Sequence, residues 1–80
     1  MRILLAEDED QLLRVVTMAI QSLNYTVDVA HNGQEAVDLA ATNAYDAIIL
    51  DIMMPVKDGI TALKEIRARG DRTYIMMASS

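Results

Sequence analysis

The chain alternates short apolar runs with longer segments in which apolar residues recur every three or four positions. Short uncharged runs are typical of buried strands, whereas a period of three to four residues is typical of helices that bury one face. The pattern therefore predicts strands and helices in strict alternation. The predicted strands cover about residues 2–6, 25–30, 46–51 and 74–78, and the predicted helices cover about residues 11–23, 33–41 and 60–69.

This alternation of strands and helices predicts an α/β fold. Successive βα units with short connections form a parallel sheet with right-handed crossovers. The second predicted strand alternates apolar with polar residues, as expected of a half-exposed edge strand in which Asp28 lies on the polar side. The helical residues that we expect to face the sheet are Leu12, Leu13, Val16, Met18, Ala19, Ile20 and Leu23, then Ala36, Val37, Leu39 and Ala40, and finally Ile60, Leu63 and Ile66.

Acidic residues follow two of the predicted strands. Asp51 ends the apolar run 47–50, and Glu7 and Asp8 follow the run 3–6. If these strands are parallel neighbours, the three carboxylates meet at one edge of the sheet, where open α/β sheets bind their ligands. Carboxylates that close raise one another's pKa unless a cation favours their ionised forms. Mg²⁺ prefers oxygen ligands, so the pattern predicts a magnesium site.

Other polar residues near these strand ends have simpler interpretations. Glu9 and Asp10 lie where the first predicted helix begins, and carboxylates there interact favourably with the helix dipole. We interpret both as capping residues rather than ligands. His31 precedes the turn signal Asn32-Gly33 and is interpreted as a loop residue.

Composition limits the class of protein. Eighty residues with a mass of 8.9 kDa predict one small domain, near the size at which a single core is only marginally stable. A net charge of −5 argues against nucleic-acid binding, which needs clustered Lys or Arg. The absence of Cys excludes disulfides and thiolate metal sites within these residues. Because the sequence shows neither a signal peptide nor a long apolar segment, we expect no membrane contact and a cytoplasmic location.

Taken together, these motifs resemble the receiver domain of two-component response regulators, which has the flavodoxin-like fold. The resemblance covers all 80 residues. The residues that carry it are Glu7-Asp8, Asn32-Gly33-Gln34-Glu35-Ala36 at the start of the second helix, Asp51 with Pro55 and Asp58-Gly59, and Ser79 at the end of the fourth strand.

The resemblance implies a role for each residue of the predicted site. Asp51 would accept a phosphoryl group from a sensor histidine kinase, and the Ser79 hydroxyl would hydrogen-bond that group. Asp8 would bind Mg²⁺ directly, Glu7 would bind it through water, and the Met53 backbone carbonyl would be a further ligand. The protein would therefore be a phosphoacceptor rather than an enzyme.

The sequence also departs from this family. The family sheet has five strands in the order 2-1-3-4-5, whereas residues 1–80 supply four strands, expected in the order 2-1-3-4, and three helices. The fourth helix, the fifth strand with its Lys, and the fifth helix have no counterpart. Lys57 is the one cation near Asp51, and we interpret it as a solvated loop residue. Phosphotransfer is therefore expected to be impaired.

An edge strand without charges predicts self-association. Residues 74–78 contain no charged side chain, and the sheet face beside them is expected to be uncovered. We therefore expect a homo-oligomer, and a second reading of the chain is a structural or engineered half-fold without phosphotransfer. A third reading, a haloacid-dehalogenase-like phosphatase, requires a second Asp two positions after Asp51, where Met53 stands.

Overall fold

A computed structural model describes residues 1–79, and it confirms the predicted alternation of strands and helices. The strands are β1 (Arg2–Ala6), β2 (Thr26–Ala30), β3 (Ala47–Asp51) and β4 (Tyr74–Ala78), and the helices are α1 (Asp10–Gln21), α2 (Gly33–Thr42) and α3 (Gly59–Ala68). Each element begins and ends within about two residues of its predicted position. Within residues 1–79, no helix combines the length and apolar character that crossing a bilayer requires.

The strands form one parallel sheet in the predicted order β2-β1-β3-β4. Successive parallel strands require a crossover connection, and each contains a helix. Helices α1 and α3 join neighbouring strands, whereas α2 carries the chain from β2 past β1 to β3. Ala6 lies opposite both Ala30 and Leu50, and Asp51 lies opposite Ala78. The strands therefore end at a common carboxyl edge.

The principal core lies on the sheet face that α2 and α3 cover. These two helices contact each other, and α2 also contacts β1 and β2. Small residues of the helices allow close packing against the larger side chains of the strands. The buried core residues are Leu4, Ala6, Ala30, Ala36, Ala40, Tyr45, Ile48, Leu50, Met54, Ala62 and Ile66.

The opposite face of the sheet is covered only in part among the described residues. Helix α1 contacts β1 and β2 there, and of its apolar residues only Leu13 is fully buried. Tyr74 and Met76 of β4 are 63% and 48% exposed, and Ile49 of β3 is half-buried. We call Ile49, Tyr74 and Met76 the open face, because α1 does not extend over β3 and β4.

Two of the three predicted sets of sheet-facing residues are therefore wrong in part, whereas no residue of the α2 set is exposed. In the first set, Leu12, Met18 and Ala19 of α1 are exposed, since α1 covers only two strands, and Leu23 is exposed beyond the end of the helix. Ile60 is also exposed, because Gly59, Ala62 and Ile66 form the buried stripe of α3.

Asp28 is partly exposed on the edge strand β2, as the alternating pattern predicts, and its side chain joins a polar network near the amino ends of the strands. Its Oδ2 accepts hydrogen bonds from the Tyr45 hydroxyl at 2.7 Å and from Arg2 Nη2 at 2.7 Å. The Arg2 guanidinium lies 5.2 Å from the centre of the Tyr45 ring. The Tyr45 hydrogen bond, and then Arg2, lower the pKa of Asp28, while burial and Asp28 raise the pKa of Tyr45 to about 12.

We predict that Tyr45→Phe lowers the free energy of unfolding by about 1–2 kcal/mol, because the phenol donates to a charged, partly buried acceptor. Urea unfolding measures the difference, and Tyr74→Phe, which alters an exposed ring, is the control. Because folding lowers the pKa of Asp28, its ionised form stabilises the fold at pH values above its ordinary pKa. The difference in stability between wild type and Tyr45→Phe should therefore be lost as the pH falls through the pKa of Asp28 in the folded state. Equal stability of the two variants at neutral pH would contradict the prediction.

Candidate functional site

The candidate site lies at the carboxyl edge of the two central strands. Asp51 is the last residue of β3, and Glu7 directly follows β1. Because Ala6 pairs with Leu50, the next residues along the two strands, Glu7 and Asp51, are neighbours. The Glu7 N–H donates to the Ala30 carbonyl at 3.0 Å, which continues the strand pairing into the site.

The structure brings Glu7, Asp8 and Asp51 together. Each offers a carboxylate oxygen, and these oxygens lie within 4.8 Å of one another. Asp51 is 1% exposed and Glu7 6% exposed, whereas Asp8 faces solvent. Ligand oxygens of one Mg²⁺, each at about 2.1 Å, lie up to about 4.2 Å apart. The upper limit on the spacing in this cluster is close to that value, and its all-oxygen donor set suits a hard divalent cation.

Electrostatics at this cluster favour a bound positive charge. The pKa of Glu7 is raised, first because burial penalises the charged form, and also because Asp51 hydrogen-bonds and repels it. The Glu9 N–H donates to Glu7 Oε2 at 3.1 Å, and this hydrogen bond lowers the pKa of Glu7. A group with this balance is costly to ionise without a neighbouring cation.

An apolar groove lies beside the carboxylates. The groove has a volume of about 210 Å³ and lies between α1 and the ends of the strands. It is lined by Leu5, Ala6, Leu12, Leu13, Val16, Ile49 and Ala78, and it reaches Glu7 and Asp51. The sequence pattern did not reveal this groove, since it depends on how far α1 extends across the sheet.

Glu9 and Asp10 are placed as the sequence predicted, at the start of α1. Glu9 is the N-cap, and its carboxylate accepts from the N–H groups of Gln11 at 3.2 Å and Leu12 at 3.0 Å. Asp10 lies in the first turn, where its charge complements the helix dipole. The Glu9 carboxylate therefore bonds the helix, and only its backbone N–H bonds the acidic cluster. His31 is also in a loop, with its ring 3.2 Å from Glu35 Oε1.

The loop between β3 and α3 carries Met53, whose N–H lies 3.4 Å from Asp51 Oδ1. The Met53 side chain is exposed and that of Met54 is buried, so only Met54 fills the core. The loop returns closely to the strand, because a Cβ at Gly59 would overlap the carbonyl oxygen of Asp51. Glycine is therefore required where α3 begins. The Met53 carbonyl remains a predicted ligand.

Ser79 and Lys57 are the two other residues that the sequence associated with the site. Ser79 follows β4 at the same edge, one residue beyond Ala78, whose carbonyl accepts from the Ile52 N–H at 2.9 Å. Its role toward a phosphoryl group remains a prediction. The interpretation of Lys57 as a solvated residue is wrong, because its Nζ lies 2.6 Å from Glu65 Oε2 and its side chain is 17% exposed.

Comparison with known proteins places the chain in a family. The sequence model of the response regulator receiver domain matches residues 3–80. The protein RcaC of Microchaete diplosiphon is 41% identical over 80 residues, covering 100% of this chain and 12% of that protein. The chain spans about a third of the length of several other curated relatives.

Solved structures give the same answer. The Francisella response regulator 1452 receiver domain matches with a TM-score of 0.94 and 33% identity, over 98% of this chain and 64% of that one. The receiver domain of the sensor histidine kinase PA1611 of Pseudomonas aeruginosa PAO1, solved with magnesium coordinated in its active-site cleft, has a TM-score of 0.91 and 40% identity, over 95% and 64%. The flavodoxin-like fold is confirmed, and the chain belongs to the response regulator receiver domain family.

Proposed function

We propose that the chain accepts a phosphoryl group on Asp51 from the phosphohistidine of a sensor histidine kinase, in a reaction that depends on Mg²⁺. The observation that carries this proposal is the convergence of Glu7, Asp8 and Asp51, with oxygens within 4.8 Å of one another. Membership of the receiver family supports it, because receivers are phosphoacceptor signalling domains. The chain would accept phosphate and would not act on a separate substrate.

The proposed transfer is a displacement at phosphorus. A carboxylate oxygen of Asp51 forms the new P–O bond, while the P–N bond of the donor breaks and its electron pair remains on the imidazole nitrogen. The product is a mixed anhydride on Asp51. Because Asp51 is almost fully buried, the surrounding strands hold its carboxylate in place and limit the access of water.

The residues proposed to hold Mg²⁺ are Asp8 directly, Glu7 through water, Asp51, and the backbone carbonyl of Met53. When bound, the ion would reduce the repulsion between the phosphoryl oxygens and the acidic cluster. The three carboxylates carry a formal charge of −3, so a divalent cation leaves −1 before transfer. A phosphoryl group of roughly −2 on a neutralised Asp51 then leaves about −2. Ser79 is proposed to stabilise that product through its hydroxyl.

The wider setting follows from the same proposal. We propose a cytoplasmic location, where a histidine kinase could reach the exposed carboxyl edge. We propose no nucleic-acid contact for these residues, because the chain has a net charge of −5.

The open face supports a second candidate function, assembly with another copy of the chain. Tyr74 and Met76 expose apolar surface beside β4, which is an edge strand of the sheet described and contains no charged residue. An exposed edge of this kind favours pairing with another strand. Association through this face is therefore proposed alongside the acceptor function.

The acceptor function predicts a covalent mass gain. Treatment with acetyl phosphate and Mg²⁺ should add one phosphoryl group, detected by intact mass spectrometry. Asp51→Asn and addition of EDTA should each abolish the gain, because they remove the acceptor and the cation. Asp38→Asn, on the exposed side of α2, is the matched control and should retain it. No gain in the wild-type protein would leave the assembly function as the better proposal.

The raised pKa of Glu7 predicts that Glu7→Gln stabilises the metal-free protein at neutral pH. A carboxyl group whose pKa is raised by folding stabilises the fold below its ordinary pKa, and that contribution is lost as the pH rises through the raised value. Gln keeps an oxygen for the Glu9 N–H but carries no charge. The gain in stability from Glu7→Gln should therefore vanish in acid, where Glu7 is itself protonated and neutral.

Thermal unfolding in EDTA at neutral and acidic pH measures this effect. Asp8→Asn is the comparison and should stabilise less, because Asp8 is exposed. Added Mg²⁺ should stabilise the wild-type protein more than Glu7→Gln, since it binds the folded state. A Glu7→Gln variant less stable than wild type at neutral pH would refute the electrostatic argument.

Self-association predicts a concentration-dependent sedimentation coefficient at micromolar concentrations. Met76→Glu should shift the protein toward monomer, because it places a charge on the open face. Met18→Glu adds the same charge at an exposed site of α1 and should leave association unchanged. A compact wild-type monomer across this range would contradict the assembly function.

A further inference from the structure

The loop between β3 and α3 contains a strained residue. Val56 has a φ of +67°, a left-handed conformation that β-branched residues rarely adopt. The Lys57 N–H donates to the Pro55 carbonyl at 2.7 Å, so Val56 is the centre of a three-residue turn closed across it. The Val56 side chain is 82% exposed, and its own packing does not offset the strain. Neighbouring contacts must hold this turn.

Lys57 supplies those contacts on two sides. Its carbonyl accepts a hydrogen bond from the Gly33 N–H at 3.0 Å, where α2 begins. A Cβ at Gly33 would overlap that carbonyl, so the two backbones are in direct contact. On the other side, Lys57 Nζ pairs with Glu65 Oε2 of α3 at 2.6 Å, and the Lys57 side chain is mostly buried. Lys57 is thus fixed between two helices.

The other end of the loop is fixed to the site itself. The Gly59 N–H donates to the Ile52 carbonyl at 2.9 Å, and the Met53 N–H approaches the Asp51 carboxylate. Met53 therefore lies between a fixed strand end and the strained turn that Lys57 holds. Only three residues separate Met53 from Lys57, so a displacement of Lys57 can shift the Met53 backbone.

We propose that the Lys57–Glu65 ion pair is a clamp that positions the Met53 carbonyl for the divalent cation. This inference rests on the proposed function, because it concerns the same metal site. Mg²⁺ requires near-octahedral geometry, so its affinity is sensitive to the position of each oxygen ligand. Lys57 and Glu65 are positioning residues: they pre-organise the loop before the ion binds.

Loss of the clamp should release the strained turn. Val56 can then relax to negative φ, and the loop must be ordered again when the ion binds. Contacts that orient metal ligands typically change metal affinity by about tenfold or more when removed. We expect Glu65→Gln or Lys57→Met to raise the Kd for Mg²⁺ about tenfold. The Gly33 amide should also exchange its hydrogen several-fold faster in the metal-free protein, because its acceptor moves.

The test combines these two measurements. Mg²⁺ binding is measured by isothermal titration calorimetry, and Gly33 amide exchange by NMR in EDTA. The charge swap Lys57→Glu with Glu65→Lys should restore both toward wild-type values, whereas a general loss of stability would not be rescued. Asp38→Asn and Lys64→Met are controls that make the same charge changes at exposed sites.

Glycine at position 56 provides an independent test. Gly adopts positive φ without strain, so Val56→Gly should hold the turn without the clamp. In that background, Glu65→Gln should change the Kd for Mg²⁺ less than in the wild-type protein. An equal effect in both backgrounds would contradict the role assigned to the strained turn.

The outcomes separate this inference from the proposed function. If the wild-type protein and Asp51→Asn both fail to bind Mg²⁺, the metal site is wrong, while Gly33 exchange still tests whether the clamp holds the loop. If the wild-type protein binds Mg²⁺ and both clamp variants bind it equally well, the metal site stands and the positioning role is overturned. Weaker binding that the charge swap rescues supports the clamp.

Discussion

The burial of two neighbouring carboxylates at the end of a parallel sheet is the constraint on which the site depends. Glu7 and Asp51 are almost inaccessible to solvent, and the neighbouring Asp51 makes the charge of Glu7 less favourable. The strands bring them together because Ala6 pairs with Leu50. Hydrophobic burial of the strands therefore supplies the free energy that holds two repelling groups in contact. A cation is the simplest group that makes this arrangement favourable.

The loops around the carboxylates are built for close approach. Glycines stand where the backbone passes a carbonyl of a neighbouring segment, at the starts of α2 and α3. The loop that joins β3 to α3 is fixed at both ends, and it includes a residue in a strained conformation. A strained backbone conformation persists only where surrounding contacts hold it in place, and such conformations are common at functional sites. Here the surrounding contacts come from two helices and one strand.

Much of the fold and the acidic cluster could be predicted from local pattern. Apolar runs and helical periods located all the elements, and alternation of the two fixed the sheet as parallel. The meeting of Glu7, Asp8 and Asp51 then followed, because parallel strands end at one edge. The family resemblance added the individual roles, which the pattern of residues alone does not distinguish.

Features that depend on distant packing could not be predicted in this way. No sequence spacing indicates that the Tyr45 hydroxyl, seventeen positions from Asp28, donates a hydrogen bond to its carboxylate. Lys57 and Glu65 pair across a loop and more than a turn of helix, at no spacing that a sequence rule uses. The exposure of Leu12 and Ile60 depends on how far each helix extends over the sheet and on which of its residues face inward. These properties are set by tertiary contacts rather than by periodicity.

The Arg2, Asp28 and Tyr45 network lies toward the opposite end of the strands from the acidic cluster. The charges of this network attract one another and stabilise the fold, whereas the carboxylates at the other end repel one another and form the candidate site. A substitution that removed one carboxylate of the acidic cluster would leave the Arg2, Asp28 and Tyr45 network in place, so the domain would keep, or even gain, stability. The same architecture can thus persist as a scaffold without its acidic cluster.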